Sequence, residues 1–103
     1  MTEFGAGFRR EGDRAIVTIA GEFDLPHLSV VEALLLGALE DGATDIVVDC
    51  AAVTFVDATA RRLLARYSLL WPFDSVRLTV VNVPANLAQW FKQVGLTRLV
   101  DVR

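Results

Sequence analysis

Short runs of apolar and β-branched residues alternate along this chain with stretches whose apolar residues recur every three or four positions. The runs lie at residues 14–20, 46–50 and 76–81, and a helical stretch follows each of them. A period near 3.6 is typical of an amphipathic helix, whereas short continuous apolar runs are typical of strands buried in a parallel sheet. Strands joined by helices form right-handed crossovers, so the alternation predicts an α/β domain with a mostly parallel sheet.

Three stretches carry the helical period. The first begins near His27 and ends at Asp41-Gly42, the second covers residues 57–70 up to Pro72, and the third covers residues 84–94 up to Gly95. Glycine and proline at these ends are common stop signals for helices. With a first strand at residues 4–10, a loop at 21–24 and an edge strand at 99–102, the sequence predicts a mixed, mostly parallel sheet of four to five strands with three to four helices.

The first helix has two apolar stripes. The main stripe should pack on the sheet and consists of Leu28, Val31, Leu34, Leu35, Ala38 and Leu39. The smaller stripe consists of Val30, Ala33, Leu36 and Gly37, and we expect the terminal strands or loops of the chain to cover it. The alternative is an exposed patch for a partner or for a second copy of the chain, as in a weak homodimer.

Length and charge narrow the classes of function. A chain of 103 residues with 53% apolar side chains suits one domain with one core, covering residues 1–103. Its net charge of −3 comes from interspersed acids and bases, so no basic stripe favours nucleic acid. The apolar stretches at 30–39 and 67–73 are shorter than the roughly 20 residues of a membrane span. Because the N-terminus also lacks the pattern of a secretory signal, we expect a cytoplasmic protein.

The sequence predicts no catalytic chemistry and no cofactor. Cys50 is the only cysteine and His27 the only histidine, which leaves no intrachain disulfide and no plausible metal-ligand set. We expect Cys50 to be buried as a small apolar side chain. Asp24 and Asp57 are interpreted as a turn residue and a helix cap, because no nucleophile or histidine motif accompanies them. We therefore predict a protein that is not an enzyme.

The most informative segment is Val53-Thr54-Phe55-Val56-Asp57-Ala58-Thr59-Ala60. It reads as a strand that leads into the second helix, with Asp57 as the N-cap whose carboxylate accepts free backbone N–H groups. Thr59 then lies at the positive end of the helix dipole, where negative charge is tolerated.

At these residues the chain resembles the STAS domain family, whose members include bacterial anti-sigma factor antagonists. The resemblance covers nearly the whole chain and uses three blocks: Gly21-Glu22-Phe23-Asp24, then Asp49 with Val53-Thr54-Phe55-Val56-Asp57, and Pro84 with Gly95-Leu96. It implies a STAS-like fold and a regulatory module that binds a protein.

The resemblance also implies a partner and a switch. The partner is an anti-sigma factor with kinase activity, and the hydroxyl residue that such a kinase modifies in the family corresponds to Thr59. The partner-binding residues are then Asp24, Asp57, Ala58, Thr59, Ala60, Arg61 and Arg62. Phosphorylated members usually read Asp-Ser-Ser-Gly or Asp-Ser-Thr-Gly here, and this chain replaces the first hydroxyl with Ala58, the glycine with Ala60, and the two residues that follow with arginines.

Two alternatives stay open. The second hypothesis, after the anti-sigma factor antagonist, is a STAS subunit of a larger assembly, such as a lipid-transport or stress-sensing complex, in which Thr59 need not be phosphorylated. The basic cluster of Arg61, Arg62 and Arg66 is either a solvated face or a set of partners for an acidic protein or a phosphothreonine.

Overall fold

A five-stranded sheet forms the centre of the molecule. The computed structural model describes residues 3–96 and the backbone of residues 100 and 101. The strands are β1 (Gly5–Glu11), β2 (Arg14–Phe23), β3 (Asp45–Val56), β4 (Arg77–Val81) and β5 (Val100–Asp101). They lie in the order β1-β2-β3-β4-β5, with β1 antiparallel to β2 and each later pair parallel. The predicted mixed, mostly parallel sheet is confirmed.

Three α-helices connect the parallel strands: α1 (Leu28–Glu40), α2 (Ala58–Leu70) and α3 (Ala85–Gln93). Two single turns of 3₁₀ helix, Leu25–His27 and Trp71–Asp74, adjoin α1 and α2. The predicted helix ends agree closely, because Pro72 lies in the turn after α2 and Gly95 adopts a φ of 79° just after α3. No helix in the described residues is long and apolar enough to cross a membrane.

The strands around the predicted loop are longer than expected. The loop prediction at residues 21–24 is wrong, since β2 continues to Phe23. Its neighbour β3 is also longer than the predicted run at 46–50 and covers Asp45–Val56. The pairing of β2 with β3 shifts register between Thr18 and Ala20 and again between Gly21 and Glu22. Gly21 has a φ of 84°, so this glycine marks a bulge inside the strand rather than its end. Of the predicted strand at 99–102, only residues 100 and 101 lie within the described residues.

The helices cover one face of the sheet, and the core lies between them. Alternate residues of β2, from Ala15 to Phe23, are buried, as are Ile46, Val48 and Cys50 of β3. Val31, Leu35 and Ala38 of α1, Leu63 and Leu64 of α2, and Phe91 of α3 join the same cluster. Full burial of a large apolar side chain contributes about 1.5–3 kcal/mol, so this interface supplies most of the stability. The predicted burial of Cys50 is confirmed.

The second stripe of α1 is not covered. Val30 is 46% exposed and Leu36 is 37% exposed, so the expectation that terminal strands or loops cover them is wrong. The physical reason is the orientation of α1: its main stripe takes the sheet side, which turns Val30 and Leu36 away from the sheet.

Candidate functional site

Asp57 joins the segment after β2 to the start of α2, at the C-terminal end of the central strand β3. It follows β3 with extended backbone angles and caps α2, as the sequence predicts. Its Oδ1 accepts hydrogen bonds from the hydroxyl of Thr59 at 2.6 Å and from the backbone N–H of Ala60 at 2.9 Å. Its Oδ2 accepts the backbone N–H of Leu25, also at 2.9 Å. The carboxylate therefore fixes the start of α2 against the loop after β2.

These hydrogen bonds keep Asp57 ionised. Partial burial by itself raises the pKa of the carboxyl group, but the donors from Thr59, Ala60 and Leu25 outweigh that effect and lower the pKa below its ordinary value of 3.8. At neutral pH the site thus holds a fixed negative charge beside the hydroxyl of Thr59.

Asp24 immediately precedes Leu25, and its carboxylate contacts a histidine. Nδ1 of His27 lies 2.7 Å from Oδ1 of Asp24 and 3.0 Å from the carbonyl oxygen of Glu22. A carbonyl oxygen only accepts, so Nδ1 carries the proton and donates. The imidazole also stacks on the ring of Phe4, with centroids 4.0 Å apart and planes within 1°. Sequence reasoning treated His27 as isolated and missed this contact; the three-residue spacing from Asp24 is the signal that indicates it.

The arginines of the predicted cluster lie in different environments. The guanidinium of Arg61 lies 4.8 Å from the ring centroid of Trp90 on α3, and its Nε is buried without a hydrogen-bond partner in the described residues. Arg62 and Arg66 are exposed on α2. Arg61 therefore ties α2 to α3, while Arg62 and Arg66 are available at the surface.

The remaining predicted site residues differ in exposure. Thr59 and Ala58 are partly exposed, but Ala60 is fully buried. Ala60 therefore contributes its N–H to the cap and its methyl group to the core, rather than an exposed side chain. Sequence reasoning also missed a bond between helices, in which the hydroxyl of Tyr67 donates to Oε2 of Glu32 at 2.6 Å.

The described residues contain no group of three histidine, cysteine, aspartate or glutamate side chains placed to hold a metal ion. The site around Asp57 therefore offers hydrogen bonds and a negative charge next to the hydroxyl group of Thr59.

Comparison with known proteins defines the class. A family model described as "Mlab, STAS domain" matches residues 6–101, which is nearly the whole chain. The chain belongs to the STAS domain family. No curated protein sequence matched it.

Solved structures share the fold. The anti-sigma factor antagonist SpoIIAA in its unphosphorylated form matches with a TM-score of 0.78 and 18% identity, over 98% of this chain and 88% of that one. Phosphorylated SpoIIAA from Bacillus matches with a TM-score of 0.79 and 18% identity, over 98% and 91%. An anti-sigma factor antagonist from Mycobacterium paratuberculosis matches with a TM-score of 0.75 and 16% identity, over 97% and 85%. At these identities the likeness is one of fold.

Proposed function

We propose that this chain is a regulatory module, not an enzyme, that binds an anti-sigma factor with kinase activity through residues 57–62 and the adjoining loop at Asp24. One observation carries the proposal: a partly exposed threonine hydroxyl is held by a capping carboxylate in the first turn of α2, within a STAS domain. The fold shared with both forms of SpoIIAA supports the same assignment.

The proposed switch is phosphorylation of Thr59 by the bound partner. A bond forms between the γ-phosphorus of ATP and Oγ1 of Thr59, the bond to the leaving ADP breaks, and the hydroxyl proton departs. The lowered pKa of Asp57 makes its carboxylate a poor proton acceptor. Asp57 therefore orients the hydroxyl, and the base for this step belongs to the kinase.

Phosphorylation changes both a hydrogen bond and a charge. Asp57 loses the Thr59 donor that now lies 2.6 Å from its Oδ1, and a group of about −1.5 to −2 charge takes its place. The helix dipole favours this charge, while the ionised carboxylate opposes it. A partner surface docked on the unmodified site then meets like charge, which is sufficient to release it.

Incubation of the protein with ATP and each candidate anti-sigma kinase of its host, followed by mass spectrometry, tests the proposal. We expect one phosphate on Thr59, none in Thr59→Ala, and normal labelling in the control Thr54→Ala, which alters an exposed residue of β3. Pull-down should show binding of the unmodified form and loss of binding after labelling. If no candidate kinase binds the protein, the proposed partner is wrong.

A second candidate function is that of a STAS subunit in a larger assembly, such as a lipid-transport or stress-sensing complex, without phosphorylation. The matching family description is "Mlab, STAS domain" and does not mention anti-sigma factors, and Ala58 and Ala60 replace residues of the phosphorylated motif. Co-purification distinguishes the two. A small ATP-binding kinase supports the first function, and a transporter ATPase or a multimeric scaffold supports the second.

A further inference from the structure

The site at Asp57 and Thr59 lies at the N-terminal end of α2, and the outer face of this helix extends from it. Ala60, Leu63 and Leu64 face the core, while Tyr67 contacts Glu32 of α1 and Arg61 contacts Trp90 of α3. The side that remains carries Thr59, Arg62, Arg66 and Leu69. These residues follow at intervals of three, four and three, so they form one stripe of about 15 Å along the helix.

The charge of this stripe has one sign. The sequence of α2, Ala58–Leu70, contains three arginines and no acidic residue. Among the described residues, Arg9, Arg10 and Arg14 pair with Glu11, Asp41 and Asp45, whereas Arg62 and Arg66 form no ion pair there. The stripe is thus a local positive surface on a chain whose net charge is −3.

Exposed apolar side chains adjoin the C-terminal end of the stripe. Leu69 and Leu70 are 53% and 51% exposed, and Phe73, in the turn that follows, is 89% exposed. Leu36 of α1 is also exposed and lies one helical turn beyond Glu32, the residue that bonds to Tyr67. Exposed apolar groups beside a charged surface are typical of an interaction site.

We propose that the stripe from Thr59 to Leu69, with Leu70 and Phe73, binds an acidic amphipathic segment of the protein partner. Carboxylates of that segment pair with Arg62 and Arg66, and its apolar residues cover the exposed leucines and Phe73. This inference deepens the proposed function, since the stripe begins at the site assigned there to the anti-sigma factor.

The charge pattern favours this occupant over two others. In a two-fold symmetric contact each copy presents the same surface, so α2 of a second copy would bring arginines against arginines. Membrane surfaces are usually bound by clusters of about four to eight lysines and arginines, which exceeds the two exposed arginines of the stripe.

Nuclear magnetic resonance of the ¹⁵N-labelled protein tests the proposal without any kinase. The probe is a synthetic amphipathic peptide of about four helical turns with glutamates beside a leucine stripe. Two matched peptides carry glutamine or lysine in place of glutamate. We expect saturable shifts at residues of α2 with the glutamate peptide, and binding weakened about fivefold to tenfold in Arg62→Glu/Arg66→Glu. The lysine peptide should bind more tightly to Arg62→Glu/Arg66→Glu than it binds to the parent protein.

Lys92→Glu is the matched control, because Lys92 is exposed on α3 and lies outside the stripe; its binding of the glutamate peptide should not change. Equal binding of the three peptides, or shifts confined to the sheet, would overturn the proposal, as would preferential binding of phosphatidylglycerol vesicles or self-association through α2. The kinase assay separates the two proposals. Peptide binding without any kinase binding refutes only the anti-sigma assignment. Kinase binding that is unaffected by Arg66→Glu refutes only the acidic segment, because Arg66 is exposed and lies outside residues 57–62.

Discussion

Leu25 donates its backbone N–H to Oδ2 of Asp57 at 2.9 Å, across 32 positions of the sequence. The other oxygen of this carboxylate accepts from Thr59 and Ala60. One side chain therefore fixes the geometry of two segments that the proposed partner contacts, so stability and binding should depend on it together.

Asp57→Asn should lower the free energy of unfolding by about 1–2 kcal/mol. The asparagine oxygen can still accept from Thr59 and Ala60, but its NH₂ group then faces the N–H of Leu25, and two donors cannot bond. Asp57→Ala removes all three bonds and the cap, and should cost about 2–3 kcal/mol. Urea unfolding followed by tryptophan fluorescence measures both. Asp74→Asn, at an exposed site, is the control and should leave stability nearly unchanged.

The contribution of Asp57 to the free energy of unfolding should depend on pH. Its pKa in the folded protein is lower than the ordinary value of 3.8, so folding favours the ionised form. The stabilisation is complete above 3.8 and is lost as the pH falls through the lower, folded-state pKa. The difference in unfolding free energy between the parent protein and Asp57→Asn should therefore shrink below pH 3.8. A difference that stays constant throughout that range would contradict the assignment.

Tyr67 should titrate at unusually high pH. Burial is the main cause, and the hydrogen bond to Glu32 and the charge of Glu32 add to it; together they raise the pKa to about 12. Because Tyr67 is the only tyrosine, absorbance at alkaline pH reports it alone. Glu32→Gln should lower the midpoint of the Tyr67 titration toward the ordinary value of 10 without reaching it, because burial remains. The control Glu40→Gln should leave the midpoint unchanged.

The pH dependence of stability gives a second measurement of the Tyr67 environment. Folding favours the neutral phenol, so its contribution to stability is present below pH 10 and is lost as the pH rises through about 12. Circular dichroism recorded along the titration shows whether the chain is still folded. A midpoint near 10 with the far-ultraviolet spectrum unchanged would show that Tyr67 is not bonded as described.

Much of the fold could be predicted from the sequence because its signals are local. Apolar periodicity placed the helices, and a carboxylate before an apolar helical run placed the cap at Asp57. The end of β2 could not be predicted this way. Glycine is common in loops and turns, yet long-range pairing with β3 extends the strand past Gly21. In such cases tertiary pairing outweighs local propensity.

The site was predicted only in part, for a similar reason. The adjacent arginines 61 and 62 look equivalent in sequence, but the helical rotation of about 100° between neighbours turns one toward α3 and the other to solvent. Only the position of Trp90 assigns Arg61 its contact. The bonds of His27 to Asp24 and of Tyr67 to Glu32 likewise depend on how neighbouring elements are placed.

Gly21→Ala should be much more destabilising than Gly42→Ala. Both glycines have positive φ angles, 84° and 91°, which cost a residue with a Cβ about 1–2 kcal/mol. A Cβ at Gly21 would also lie 2.8 Å from the carbonyl oxygen of Glu3, whereas one at Gly42 meets nothing within 4 Å. We expect Gly21→Ala to cost about 1–3 kcal/mol more, as for other overpacked sites. Equal losses in urea unfolding would mean that the backbone at Glu3 and Phe4 does not pack against Gly21.

Cys50 should resist thiol reagents until the protein unfolds. Burial, and to a smaller extent the charge of Asp49, raise the pKa of the thiol to about 12, and only the thiolate reacts. Labelling with a disulfide reagent at neutral pH should therefore be about a thousandfold slower or more in the folded protein than in urea. Since Cys50 is the only cysteine, the slow rate measures opening of the core directly. Asp49→Asn removes only the smaller cause, so labelling should stay slow in that variant; rapid labelling there would show that charge, rather than burial, protects the thiol.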